Sequence, residues 1–308
     1  MKPALGIDLG GTKVEIVALD GAGDVTARHR VSTPRDDYRA TIEAIANLVE
    51  KVERDLGQPG TLGVGHPGSV SPYTGLIRNA NSTWLNDQRL DHDLKERLDR
   101  DIAFANDANC LALSEATDGG GAGAPVVFAV ILGTGVGGGV VVHGRLVGGH
   151  NGNAGEWGHN PLPWPEASEF PGPACWCGLE GCIETWLSGT GLRADYKRAS
   201  GEAITGEQIV ERASQGETLA VDILKRYSAR LGRATASIIN VIDPDVIVLG
   251  GGVSRIDSLY ETVPGFWSRY VFSDDIRTKL VPAVHGDSSG VRGAAWLGRQ
   301  LAEAPAAS

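Results

Sequence analysis

Two stretches of the chain are built to one plan. Near the start, ALGID, the glycine turn DLGGTK and KVEIVALD read as strand, turn and strand, with VTARHRV as a third strand of an antiparallel meander. From Val126 the order returns as VVFAVILG, TGVGGG and VVVHGRLV. Two copies of one unit, roughly 120 residues apart, predict a duplicated α/β fold with a central cleft between its halves. The 308 residues are enough for two packed domains.

The segments between the copies alternate in the same way. Apolar spacing at Ile42, Ile45, Leu48, Val49 and Val52 predicts a helix over 38–56. TLGVGHPG reads as a short buried strand, LIRNANSTWLN as a loop rich in amides and hydroxyls, LDHDLKERLDR as a helix and DIAFA as a strand. NDANCLALSEAT opens another helix, on which Cys110 lies beside Leu111 and Leu113 and reads as core. Residues 148–174 are irregular and rich in Gly, Pro and Trp, the kind of long loop that is functional or tied down. Helices then fill 183–242, DVIVLGGG is a last buried strand, GVRGAAWLGRQL a closing helix, and AEAPAAS a frayed tail.

Charge excludes one class of partner. Lys plus Arg number 28 against 38 Asp plus Glu, a net charge of −10 without any basic run, which repels nucleic-acid phosphates. No basic-then-apolar leader opens the chain, and no apolar run reaches the ~18 residues of a membrane span. A cytoplasmic protein without membrane or nucleic-acid partners is expected.

That compartment bears on PACWCGLEGCIET, where Cys175, Cys177 and Cys182 are three of the four cysteines. They could hold a metal, form a disulfide with one thiol left over, or act as a redox pair. Cytoplasmic thiols stay reduced, which disfavours the disulfide, and a redox C-x-x-C is missing. His159, in GEWGH, completes H-x15-C-x-C-x4-C. Three thiolates and an imidazole make a closed tetrahedral zinc site, structural because no position stays open for chemistry.

Three strand-end glycine turns carry the next signal. GTGVGG at Gly133 matches the dinucleotide fingerprint, but a strand follows it where that fingerprint needs a helix. DLGGTK lacks the Walker A spacing, and GGGV at Gly250 ends a buried strand. Each is a plain turn by itself. Together, in a duplicated fold, they point to one bound nucleotide whose phosphates approach backbone N–H groups where no Cβ intervenes. NDAN, from Asn106, joins a strand to a helix. Its polar residues can cap that helix, or its carboxylate can serve as a general base for a hydroxyl nucleophile.

Taken in order, DLGGTK, NDANC, GTGVGGG, GEWGH, CWCGLEGCIE and VIVLGGG resemble the ROK family of bacterial sugar kinases and repressors, over nearly the whole chain. The resemblance implies an actin/hexokinase-like (ribonuclease H-like) fold in which two duplicated α/β domains close on ATP and a sugar. It implies Asp107 as catalytic base, with Gly68, Asn81, Asn106, Asp107, Glu156, His159 and Glu184 around the sugar. Asp8, Gly10, Gly11, Thr12 and Lys13 would form the first phosphate element. Gly133, Thr134, Gly135, Val136, Gly137, Gly138 and Gly139 would form the second, with Gly250, Gly251 and Gly252 at the adenosine end. Mg²⁺ would bridge the phosphates near Asp8, and a homodimer is the family expectation. The domains implied are 1–117 with 291–308, the closing helix packing back, and 118–290 with a zinc-stabilised loop over 156–184. Family repressors need an N-terminal DNA-binding module, for which a phosphate motif starting at Asp8 leaves no room. One branch of the kinases, similar in SPYTG, NANSTWLN, EWGHNPLPW and HGDSSGVRGAAWL, phosphorylates fructose, with mannose and glucose weaker. Glucose, mannose and N-acetylglucosamine are the other substrates the family suggests. His66, in GVGHPG, departs from the usual aliphatic residue.

Overall fold

A computed structural model describes residues 2–303; the end of the AEAPAAS tail lies outside the described residues. The elements in order are β1 (Ala4–Leu9), β2 (Lys13–Leu19), β3 (Val25–Ser32), α1 (Tyr38–Leu56), β4 (Thr61–His66), β5 (Ser69–Val70) and β6 (Ile77–Arg78). Then come α2 (Leu90–Leu98), β7 (Ala103–Asn106), α3 (Asp107–Asp118), β8 (Val126–Leu132), β9 (Val136–Val142) and β10 (Arg145–Leu146). The chain continues through α4 (Ile183–Leu187), α5 (Gly189–Ser200), α6 (Gly206–Ser214), α7 (Thr218–Ile242) and β11 (Val246–Gly250). It closes with α8 (Ser258–Thr262), α9 (Pro264–Tyr270), β12 (Lys279–Pro282) and α10 (Ser289–Glu303).

The duplication is visible in the sheets. One runs β3-β2-β1-β4-β7 and the other β10-β9-β8-β11-β12. In each, an antiparallel meander is extended by two parallel strands, β4 and β7 in the first, β11 and β12 in the second. The chain divides into a first unit, made of residues up to Gly123, Gly139–Ala154 and those from Asp287, and a second, Ala124–Gly138 with Gly155–Gly286. The segment 139–154, read above with the second domain, packs with the first unit.

Local chemistry explains the first unit. Helix α1 starts where Asp37 accepts the Ala40 N–H (2.9 Å) and stops at Gly57, whose φ of 68° ends it without strain. Its apolar stripe, Ile42 to Val52, is buried against Leu5, Ile7, Val14 and Ile16. The opposite face of the sheet is small by necessity. A Cβ at Gly6 or Gly63 would overlap the backbone of α10 at Val291 or Ala294, and one at Gly293 would overlap the Cys110 carbonyl. Cys110 is buried there, as its helix position predicted. No described helix is long and apolar enough to cross a membrane.

One expectation is corrected. TGVGGG is not all turn, because β9 begins at Val136 and takes in Gly137, Gly138 and Gly139. Those glycines answer to packing: a Cβ on Gly138 would lie 2.8 Å from the Gly155 carbonyl, and one on Gly139 2.7 Å from the Ala112 methyl. Strand β12 and helices α8 and α9 carried no periodicity strong enough to predict them.

Candidate active site

In the first unit the parallel register puts His66, at the end of β4, beside Asn106, at the end of β7. The helix-capping role belongs to Asn106, whose Oδ1 accepts the Asn109 N–H at 2.8 Å. Asp107 is thereby the first residue of α3, with its Oδ1 accepting from the Ala108 N–H at 2.8 Å. Asp107 keeps an open side to solvent, yet enough protein surrounds it that desolvation raises its carboxyl above the usual range. Bonds from the Ala108 N–H and its own N–H offset only part of that.

Asp8, on β1, is the partner carboxylate. Desolvation first, then the charges of Asp107 and Glu15, push it up to about 6, against the pull of Lys13 and Arg30. The sign has a consequence. A carboxyl pushed above its ordinary 3.8 makes the folded protein bind the proton more tightly than the unfolded chain. That stability is full below about pH 4 and is lost as pH rises through 6. Asp8→Asn is therefore expected to stabilise the ligand-free protein at pH 7 by about 1–2 kcal/mol, allowing for partial exposure, and hardly at pH 4. Thermal melts of both proteins at the two pH values check this.

Beside Asp8 the Gly10–Lys13 turn is held from within: the Gly10 N–H donates to the Lys13 carbonyl (3.0 Å) and Thr33 Oγ1 to the Gly10 carbonyl (2.7 Å). Glu15, fully buried on β2, pairs with Arg28 (2.5 Å) and Arg30 (2.6 Å) and lies 3.8 Å from Lys13. Sequence reasoning missed this group, although a charge inside KVEIVAL was its signal. Gly68 has φ 73°, and a Cβ there would press to 2.7 Å on the Ala80 N, so it seats the PGS turn against the loop that carries Asn81. Asn81 itself is exposed. His66 is a core histidine: burial lowers its pKa, and its Nδ1 lies 3.0 Å from the Pro67 carbonyl, so the neutral ring donates there.

In the second unit His159, Cys175, Cys177 and Cys182 come together, with their ligand atoms all within 4.8 Å of one another. Cys177 Sγ and Cys182 Sγ are 3.7 Å apart, and Cys175 Sγ lies 3.5 Å from His159 Nδ1. Bond lengths of ~2.3 Å to sulfur and ~2.0 Å to nitrogen, in a tetrahedron, give edges of about 3.8 and 3.5 Å. These two edges of the cluster therefore match those of a zinc tetrahedron. Without a cation, burial and then the neighbouring thiols push Cys182 up to about 12, and a divalent ion reverses that.

The cluster reaches Glu184 through Trp176, which packs edge-on to His159 and donates its indole N–H to Glu184 Oε1 at 2.6 Å. Glu184 Oε2 accepts the Val136 N–H at 2.9 Å. A Cβ on Gly135 would stand 2.6 Å from that oxygen, so this glycine admits Glu184 to the turn. Glu156 is exposed in the loop before His159.

The far side of that loop has an anchor that no sequence pattern announced. Buried Glu169 takes bonds from Arg230 (2.7 Å) and Arg233 (2.8 Å), and Arg230 also bonds Asp195 (2.7 Å). Desolvation alone would raise Glu169; the bonds from the Glu166 N–H and the two arginines outweigh it and hold the carboxyl low.

At the ends of β8 and β11 a pocket of about 610 Å³ is lined by Gly133, Thr134, Thr190, Arg193, Gly252 and Arg255, among others. The Gly189 N–H bonds the Gly133 carbonyl at 2.7 Å, fixing the turn against α5. Gly251 (φ 84°) is a glycine because a Cβ would meet the Leu132 backbone, and Gly250 completes β11. Of the predicted glycines, Gly133 and Gly252 thus face the pocket, as does Thr134.

A doubled meander with parallel extensions places the chain among the hexokinase-like α/β proteins. The ROK family's sequence model matches residues 4–301, and the chain belongs to that family. It is 40% identical to the N-acetyl-D-glucosamine kinase of Vibrio cholerae over 296 residues, covering 95% of this chain and 98% of that one. Among solved structures, a ROK hexokinase from Thermus thermophilus matches with a TM-score of 0.87 at 31% identity, covering 98% of this chain and 99% of the other. A ROK glucokinase from Streptomyces griseus, solved with glucose and AMPPNP, matches at 0.76 and 28%, covering 97% and 99%.

Proposed function

We propose that this protein phosphorylates a hexose with ATP by direct in-line transfer, with Asp107 as general base. The observation that carries the proposal is Asp107 itself: a desolvated carboxylate opening α3, its proton affinity raised towards the range where a base works best. Phosphoryl transfer asks mainly for positioning and charge neutralisation. The Gly10–Lys13 turn with its lysine, and the Gly133–Gly135 turn beside a nucleoside-sized pocket, supply groups of that kind. Asp8, a buried carboxylate whose proton affinity the charge of Asp107 raises further, suits a hard cation and would hold Mg²⁺, which neutralises phosphate charge when bound. Asn81, Asn106, Glu156, His159 and Glu184 are proposed as hexose contacts, with Gly68 shaping their surroundings, and His159 with the three cysteines as a structural zinc site.

Two readings of the hexose rest on different observations. The loops SPYTG, NANSTWLN, EWGHNPLPW and HGDSSGVRGAAWL favour fructose, giving fructose 6-phosphate. The curated relative reported above lends fructose no support and favours N-acetylglucosamine. A coupled assay across fructose, glucose, mannose and N-acetylglucosamine separates them. A kcat/KM for N-acetylglucosamine or glucose tenfold above that for fructose rules the fructose reading out. ATP hydrolysis indifferent to every hexose overturns the kinase reading.

A further inference from the structure

Ser82 follows Asn81 and starts the single helical turn Thr83–Leu85. It is 2% exposed, and its hydroxyl has no hydrogen-bond partner among the described residues. Buried hydroxyls are almost always paired, so an orphan of this kind is a place where a ligand can supply the missing partner. Its direction is known from a neighbour: a Cβ built on Gly11 would find Ser82 Oγ as its nearest contact, at 3.0 Å. The hydroxyl therefore lies against the Gly10–Lys13 turn.

The chemistry of that turn selects the ligand. Three of its four carbonyls are used within the protein. The Gly10 carbonyl takes the Thr33 hydroxyl (2.7 Å), the Thr12 carbonyl the Thr33 N–H (3.1 Å), and the Lys13 carbonyl the Gly10 N–H (3.0 Å). The turn presents donors instead: the Lys13 ammonium and the hydroxyls of Thr12 and Ser82. A turn with most of its carbonyls already used and a lysine and two hydroxyls to donate suits phosphate oxygens, which only accept, better than a sugar hydroxyl, which must also place a proton.

We propose that Ser82 is a phosphate-contacting residue, its hydroxyl donating to the terminal phosphate of ATP seated on the Gly10–Lys13 turn. This deepens the kinase reading above and rests on it. It also gives the NANSTWLN loop two tasks on adjacent residues, hexose contact at Asn81 and phosphate contact at Ser82.

The test compares wild type with Ser82→Ala in three measurements. These are steady-state kinetics with the hexose that wild type turns over best, calorimetric titration with Mg·AMPPNP, and the melting temperature of the ligand-free protein. The expected result is a roughly tenfold fall in kcat/KM for ATP, the worth of one hydrogen bond to a charged group, with weaker AMPPNP binding. The hexose KM stays within about twofold, and the melting temperature is unchanged or higher, because the variant removes an unpaired buried hydroxyl. Unchanged ATP kinetics and AMPPNP affinity overturn the proposal. A loss confined to hexose KM also overturns it, making Ser82 a sugar contact, and a lowered melting temperature makes it a structural residue. If wild type proves indifferent to every hexose, the kinase reading falls, while the AMPPNP titration still decides on Ser82. A hexose-dependent wild type with an indifferent Ser82→Ala sinks only this inference.

Discussion

Asp107→Asn is expected to lower kcat by about 10²–10⁴-fold while hexose binding, followed by calorimetry, survives. Asparagine has the same shape and can still accept the Ala108 N–H through its side-chain oxygen, so α3 should start where it does now. What it cannot do is take a proton. Nor should the fold suffer, because the charge removed is one that desolvation already disfavours. A variant that is folded, binds hexose and turns over near the wild-type rate would remove Asp107 from the role of base.

The second large effect concerns the metal. Wild-type protein is expected to carry about one zinc per chain by elemental analysis. Chelation, or Cys177→Ser, should cost roughly 10–100-fold in activity, the range seen when groups that orient a metal site are lost. The route is short: Trp176 lies between two cysteines of the cluster and holds Glu184 by its indole N–H. The damage should stay local. Beyond the cluster, Glu169 remains clamped by Arg230 and Arg233, so the second unit keeps its helices and melts as a folded protein. Full activity in a folded, zinc-free variant would show that Glu184 does not depend on the metal.

What sequence reasoning could reach depended on whether a signal was local. Helix α1 was readable to its ends, because an apolar stripe, an Asp cap and a Gly stop all lie within one stretch. The H-x15-C-x-C-x4-C spacing likewise brought four residues together correctly. Glycine was the ambiguous letter. Gly133 and Gly252 line the pocket, whereas Gly138 and Gly139 are glycines because Trp157, Gly155 and Ala112 crowd them, and nothing in GTGVGGG separates the two causes. The Glu169–Arg230 pair, 61 residues apart, has no local pattern at all. Of the two readings of NDAN, the cap belongs to Asn106, which holds the helix, and the general base is proposed for its neighbour Asp107. Ser82 was inside a quoted motif, but only its burial without a partner set it apart from the other hydroxyls of that loop.

The sheet face paved by Gly6 and Gly63 bears on how the chain is made. Its cover is α10, which contributes Val291, Ala294, Ala295 and Trp296 to the cores of the first unit. A ribosome releases the amino end first, and domains ordinarily fold in that order. Here β1 and β4 emerge with one face bare and must wait for α10, the last described helix. The stretch Gly155–Gly286, by contrast, is continuous, and most of the second unit is complete before that helix appears. Folding order is thus expected to run against birth order, with the two glycines and the Asp8 strand, on which phosphate chemistry is proposed to rest, among the residues left uncovered longest on the nascent chain.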